Sequence, residues 1–268
     1  MSMRALSLSR RLLVSLCVFI AACTADADPV GGLPMLAVVR TGQPPKLDGS
    51  LRDPAWSSAH GTRSFVGTRE GGPAPFQASA KLLWDASYLY VAFDVDDRLL
   101  RASHTRRDDH LWEQDCVELM IDPHGDGKSY FEIEVSPRAT IFDTRYDERR
   151  APPPFGHLDW DSQVRVGVAR RGTLDDDQAD NGYTVEIAIP WQAFSLGDKH
   201  QASPAIGDQW RANLYVMDRL ADRQQAVAWS PTGIGDFHVP RRFGILAFEG
   251  AMPNRKGEQT LEYGEAAH

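Results

Sequence analysis

Along most of this chain the hydrophobic positions recur at every second residue. Tyr88, Tyr90, Ala92 and Asp94 alternate with Leu89, Val91, Phe93 and Val95. Cys116, Glu118 and Met120 alternate with Val117, Leu119 and Ile121, and Glu132, Glu134 and Ser136 with Phe131, Ile133 and Val135. The same period runs through Val164, Val166 and Val168 and through Val185, Ile187 and Ile189. Successive side chains of a strand point to opposite faces, so each stretch reads as a strand with one face in a core. Lys81 to Trp84, Thr140 to Thr144, Trp210 to Met217 and Phe243 to Phe248 are further strand candidates. Asp53 to Trp56 and Trp191 to Phe194 suit single helical turns, and no stretch carries a sustained helical stripe. Many short strands punctuated by Gly, Pro and Asp predict one all-β domain. The expected form is an antiparallel β-sandwich of jelly-roll or immunoglobulin-like kind, not a βαβ sheet.

The two ends break this pattern. Arg4, Arg10 and Arg11 precede an apolar run, Leu12 to Ile20, that is too short for a spanning helix and reads as an export signal. Ile20-Ala21-Ala22-Cys23 resembles a bacterial lipobox, in which Cys23 is lipidated and becomes the first residue; cleavage after Ala25-Asp26-Ala27 is the rival. The expected layout is a signal over 1–22, a tether over 23–34, the sandwich over 35–250 and a frayed polar tail over 251–268. No later run is long and apolar enough to cross a bilayer, so membrane contact is expected only through the lipid.

Composition narrows the function classes. With 42% hydrophobic and 25% charged residues the 268-residue chain is ordinary globular material. Its formal charge of −8 becomes −11 once the three arginines of the signal are removed. That balance argues against a nucleic-acid partner and disfavours anionic ligands. Cys17 leaves with the signal and Cys23 carries lipid, so Cys116 is the remaining thiol and no internal disulfide is expected.

Catalytic signatures are missing: there is no G-x-S-x-G, no Gly-rich phosphate loop and no H-E-x-x-H. Asp122-Pro123-His124-Gly125-Asp126-Gly127 begins like a calcium loop, but His124 holds the third position and Ile133 stands where the closing glutamate belongs, so it reads as a polar hairpin. Glu118, Glu132 and Glu134 share the polar phase of neighbouring strands. A solvated sheet face is the plain reading; a glycoside hydrolase using Glu118 with Glu132 or Glu134 is the rival. Trp112 sits in a polar run just before a strand, and Phe237 lies in the loop Gly233 to Pro240. A loop tryptophan is either a lid on the sandwich edge or a flat platform for the CH face of a pyranose.

Five ordered segments carry a resemblance. They are Pro45-Lys46-Leu47-Asp48-Gly49-Ser50-Leu51-Arg52-Asp53-Pro54-Ala55-Trp56, Leu83 to Val91, Trp112-Glu113-Gln114-Asp115-Cys116-Val117-Glu118-Leu119-Met120-Ile121-Asp122, Gly182 to Trp191, and Val239-Pro240-Arg241-Arg242-Phe243-Gly244. Together they resemble the family 9 carbohydrate-binding modules from about Pro45 to Glu249. The resemblance implies a β-sandwich that holds a sugar between two loop aromatics, without catalysis. Trp112 falls at the first aromatic. Phe237 falls where the family's best binders have a second tryptophan. Glu118 falls on a glutamate that bonds sugar hydroxyls, with Asp115 and His238 beside it. The family's Arg and Asn on the next strand fall at Glu132 and Glu134, so the identity of the ligand does not carry over. The resemblance also implies structural calcium, with no ligand set assigned. Related sandwiches bind haem through Met and His or Lys, and Met120, Met217 and His238 keep that redox reading open. The expected partner is a mono-, oligo- or polysaccharide. The expected state is a monomer at a bacterial envelope, lipid-anchored or periplasmic, in polysaccharide capture or degradation.

Overall fold

A computed structural model describes residues 32–196 and 203–251. The signal, Cys23 with its lipobox, most of the tether and the tail beyond residue 251 lie outside the described residues.

Each alternating stretch becomes a strand: β1 (Met35–Arg40), β2 (Val66–Gly67), β3 (Ala78–Trp84), β4 (Tyr88–Val95), β5 (Cys116–Asp122), β6 (Tyr130–Val135), β7 (Ile141–Tyr146), β8 (Arg165–Arg170), β9 (Tyr183–Pro190), β10 (Gln209–Arg219), β11 (Gln224–Ala228) and β12 (Gly244–Glu249). The main path runs β7-β6-β5-β10-β12-β1-β3-β4-β9-β8, with β11 on β10 and β2 on β11. This ribbon curls so that two layers face each other. Val91, Phe93, Ile187 and Ile189 from one layer and Leu119, Ile133, Leu214 and Val216 from the other share one buried cluster. That apolar layer is the dominant stabilising term, at about 25 cal/mol per Å² removed from water.

The antiparallel expectation needs one correction. β1 runs parallel to both its neighbours, β12 and β3. It sits where the ribbon passes from one layer to the other, and its side chains read Met-Leu-Ala-Val-Val-Arg without clean alternation. The two helical turns appear as 3-10 turns at Pro54–Ser57 and Trp191–Phe194. The Asp122 hairpin also forms as read: its carboxylate accepts the backbone N–H groups of His124, Gly125 and Gly127.

Both layers are covered on their outer faces as well. Outside β4 and β9, Trp56 packs with Tyr90, Ala92 and Ala188, so its core is this outer patch and not the space between the layers. Glu186 on β9 anchors the covering segment. Its two oxygens accept the Trp56 indole N–H at 2.6 Å and the Gly49 amide at 2.5 Å. Gly49 has φ +77°, and a Cβ there would lie 2.3 Å from the Ala169 nitrogen, which explains the glycine of the Leu-Asp-Gly segment. Glu186→Ala leaves two buried donors unpaired and is expected to cost about 2–5 kcal/mol of stability. Gly49→Ala should also lower the urea midpoint, because backbone cannot move aside as a side chain would. Equilibrium urea unfolding of both variants against the wild type checks this, and an unchanged midpoint for Glu186→Ala would contradict the anchoring role.

Candidate functional site

The outer face of the other layer builds the site. On β5 the phase of Val117, Leu119 and Ile121 enters the inter-layer core, which turns Cys116, Glu118 and Met120 outward. On β6 the same rule turns out Tyr130, Glu132 and Glu134, on β7 Phe142 and Tyr146, and on β10 Tyr215 and Met217. Loops close over this face and leave a cavity of about 290 Å³. Trp112, Phe155 and Phe237 contribute to its walls, and Glu118, Glu132 and Glu134 to its floor.

Trp112 stands on a 3-10 turn, Leu111–Glu113, immediately before β5. His110 stacks on its ring at 4.5 Å, and Phe142 and Phe155 pack against it at 5.0 and 5.1 Å. Its carbonyl accepts the Gln224 side-chain amide from β11. Phe237 lies flat on Tyr215, with ring centroids 4.4 Å apart and planes within 3°. The Tyr215 hydroxyl also donates to the Phe237 carbonyl at 2.9 Å. Both aromatics are therefore held before any ligand arrives.

The loop behind Phe237 is tied down by charge. Asp236 accepts from Arg149 at 2.6 Å and from the Nε and terminal nitrogen of Arg150 at 3.1 and 2.7 Å. Partial burial opposes the charge on Asp236, but hydrogen bonds from Arg150 and Arg149 outweigh it and hold the carboxyl well below the ordinary range. His238 is buried beside it. Its Nδ1 lies 2.9 Å from the Tyr130 hydroxyl, which itself accepts the Arg150 amide.

The floor corrects one expectation. Glu118, Glu132 and Glu134 do share a face, with Glu118 opposite Glu134 across β5 and β6, but that face is not solvated. The three residues are 2%, 4% and 0% exposed, because the aromatics of β7 and the loops roof them. Burial, then the charge of Glu132, pushes Glu118 and Glu134 well above the usual carboxylate range. Glu132 rises to about 7 through burial, against hydrogen bonding from Tyr146 and the Arg150 charge. Cys116 touches Glu134 at 3.7 Å, and burial pushes its thiol up as well. One oxygen from each glutamate lies within 4.8 Å of the others. Glycosidase carboxyl pairs stand about 5–10 Å apart with sugar or water between them. The trio lies side by side on one sheet face beneath the cavity, so its members do not flank a bond from two sides and the geometry gives the hydrolase reading no support. Met120, Met217 and His238 also border the cavity, but its volume suits one sugar ring and not a porphyrin.

Asp115 is a second correction, since the structure does not bring it to this cavity. Its two oxygens accept the backbone amides of Arg101 and Arg219, and it joins Asp97 and Asp218 in a separate buried acid cluster. Asp97 Oδ2, Asp218 Oδ1 and the Tyr183 hydroxyl there have no hydrogen-bond partner. Burial, with the charge of its neighbour added, pushes Asp115 up to about 9 and Asp97 up to about 7. An anionic, all-oxygen set with orphaned atoms fits a hard cation such as calcium. Asp97, Asp115 and Asp218 would hold the structural ion that the resemblance implies, tying the segments around β4, β5 and β10. Asp94 and Asp96, beside Asp97 in sequence, instead face Arg171 at 3.0 and 3.8 Å.

Phe155, Tyr146, Tyr215 and Arg150 line or brace the cavity without having been singled out from the sequence. For Tyr215 the available signal was its phase, opposite to that of the core residues Leu214 and Val216 on β10, whereas on β7 the apolar phase, Phe142 and Tyr146, is itself the outward one. Phe155 and Arg150 lie in an irregular loop that offers no such signal. The His238 environment gives a direct check. Burial, aided by the Arg150 charge, lowers its imidazole to about 3. The group is therefore neutral through the whole physiological range, and its ring resonances should stay flat in an NMR titration from mildly acidic to mildly alkaline pH. A midpoint near the ordinary histidine value of about 6.5 would contradict this burial.

Comparison with known proteins agrees with this architecture. An exoglucanase, XynX, from Acetivibrio thermocellus is 31% identical over 208 residues, covering 77% of this chain and 16% of the enzyme. The chain thus spans about a sixth of the length of the curated relatives it matches. A solved protein from Bacteroides uniformis superposes with a TM-score of 0.65 at 19% identity, over 81% of this chain and 99% of that one. A carbohydrate binding module family 9 from Caldicellulosiruptor kristjanssonii, in complex with cellotriose, gives 0.57 at 19% identity over 83% and 97%. These structures share the fold. The family model for the carbohydrate family 9 binding domain-like group matches residues 47–251, nearly all of the described sandwich, and this chain belongs to that family.

Proposed function

We propose that this chain is a non-catalytic carbohydrate-binding module that takes one sugar ring into the cavity between Trp112 and Phe237. The observation that carries this reading is the convergence of two braced, half-exposed aromatics on one small cavity with a polar floor. A pyranose offers apolar CH faces and an equatorial rim of hydroxyls. Flat rings match the faces, and buried acceptors match the rim. Glu118, at the floor, would accept from a hydroxyl, and His238 would set the wall beside Phe237. Family 9 modules have been solved with cellotriose and with glucose, which supports a neutral hexose or the end of its oligomer as the ligand class. A cavity of about 290 Å³ is at the small end for ligand sites and favours a chain end or monosaccharide over the middle of a polymer.

The same reading extends to location. Arg4, Arg10, Arg11 and the Ile20-Ala21-Ala22-Cys23 segment support export and lipidation of Cys23, which would hold a monomeric sandwich at a bacterial envelope. Capture of polysaccharide fragments there is the role we assign.

Calorimetric titration of the mature chain with a panel of mono- and oligosaccharides tests the site. Trp112→Ala should weaken binding at least tenfold, about 1.4 kcal/mol, and Phe237→Ala by a similar factor. Phe237→Trp should tighten it through added stacking area. Binding that survives Trp112→Ala unchanged would remove the cavity from consideration. For the anchor, radiolabelled palmitate should enter the full-length precursor in a bacterial host and be lost in Cys23→Ala. Label retained by that variant would refute lipidation at Cys23.

A further inference from the structure

The cavity floor gathers more carboxyl groups than cations. Glu118, Glu132, Glu134 and Asp236 bring four carboxyl groups, and Arg149 and Arg150 bring two guanidiniums. Both arginines are engaged by Asp236, so the three glutamates face one another without a cation in contact. Glu118 Oε1, Glu132 Oε2 and Glu134 Oε1 are each buried without a hydrogen-bond partner. Their remaining oxygens are partly used: Tyr146 bonds Glu132, Glu132 and Glu134 share a hydrogen bond, and the Cys116 thiol meets Glu134 Oε2. Leaving buried acceptors unpaired costs about 1–3 kcal/mol each, and more when they are charged. Native structures keep such groups for a partner.

The geometry points to the partner. We propose that Glu118, Glu132 and Glu134 form a divalent-cation site at the floor of the cavity, with the outer coordination positions of the ion open to sugar hydroxyls. One oxygen from each glutamate lies within 4.8 Å of the other two. A single point can then lie within about 2.8 Å of all three, close to the 2.3–2.6 Å of calcium–oxygen bonds. Calcium takes about 6–8 oxygen ligands, so three glutamates leave positions to fill, and the space above them is the cavity itself. Adjacent hydroxyls of a pyranose present two oxygens on one edge and suit those positions.

This site differs from the Asp97–Asp115–Asp218 cluster in residues and in surroundings. That cluster ties backbone segments together, whereas the glutamates border the proposed ligand. The sugar-bridging half of the inference rests on the carbohydrate reading above; the ion-binding half does not.

Equilibrium dialysis of the full chain against Ca2+, and separately Mn2+, near neutral pH and without sugar separates the two halves. Metal content per chain should be one ion lower in the double variant E132Q/E134Q than in the wild type. Glu118→Gln, which changes one ligand only, should weaken uptake at least tenfold. Near-UV circular dichroism identifies which variants are folded, and the count is read on those. An identical ion count in wild type and folded variants overturns the proposal and leaves the glutamates neutralised by protons. In calorimetry with glucose, chelation should weaken wild-type binding at least tenfold. Glucose binding that ignores the chelator overturns the bridging role. If no sugar binds with or without metal, the carbohydrate reading fails while the ion count still decides the cation site.

Discussion

Every feature of the site depends on one constraint, the apolar layer between the two halves of the curled sheet. Leu119 and Ile121 on β5, Ile133 on β6 and Leu214 and Val216 on β10 are committed to that layer. A strand has only two faces. Once this phase is claimed, Glu118, Met120, Glu132, Glu134, Tyr215 and Met217 must emerge on the other side. A one-residue slip of β5 against β6 would exchange the carboxylates for leucine and isoleucine and destroy core and floor together. The register that stabilises the fold is therefore the register that assembles the site.

The second consequence of the layer is that a sheet with a core on one face can be built upon from the other. The two halves use this differently. Outside β4 and β9 the covering segment from Leu47 to Ala59 is sealed by Trp56 and Glu186 and is structural. Outside β5, β6 and β7 the cover is incomplete, made of loops that meet edge to edge around aromatics, and it leaves a cavity. The difference lies in the occupants. Glu186 closes its patch with a donor on each oxygen, whereas Glu118, Glu132 and Glu134 each keep one oxygen unpaired beneath the cavity.

The alternation of apolar residues made most strands legible, from β3 through β10 and β12. β1 was not, because it is bracketed in parallel by two neighbours and buried on much of both faces, which erases the period of two. β11, Gln224 to Ala228, is short and half polar, and it is a strand because β10 offers it an edge. The site was legible in part. Trp112 and Phe237 stood out as large aromatics in polar loops, and Glu118 by its phase. That the glutamates are buried was not legible: phase assigns a face, but only the loops decide whether water reaches it. Asp115 misled because adjacency to Trp112 in sequence does not survive the turn into β5, where its oxygens face the backbone of Arg101 and Arg219. Phe155 and Arg150 arrive from an irregular loop for which periodicity has no reading.

Cys116 draws these strands into a last point. It is the one cysteine among the described residues, fully buried at the start of β5, with its sulfur against Glu134 on β6. Burial and the neighbouring glutamates suppress the thiolate, the only form that reacts. An alkylating reagent added to the native protein therefore meets this sulfur only when the cover over this face of the sheet opens. The same cover encloses the cavity, so the rate of modification measures how often the site opens. The chain thus contains its own chemical reporter, which a bound ligand would slow in proportion to how firmly it holds that cover closed.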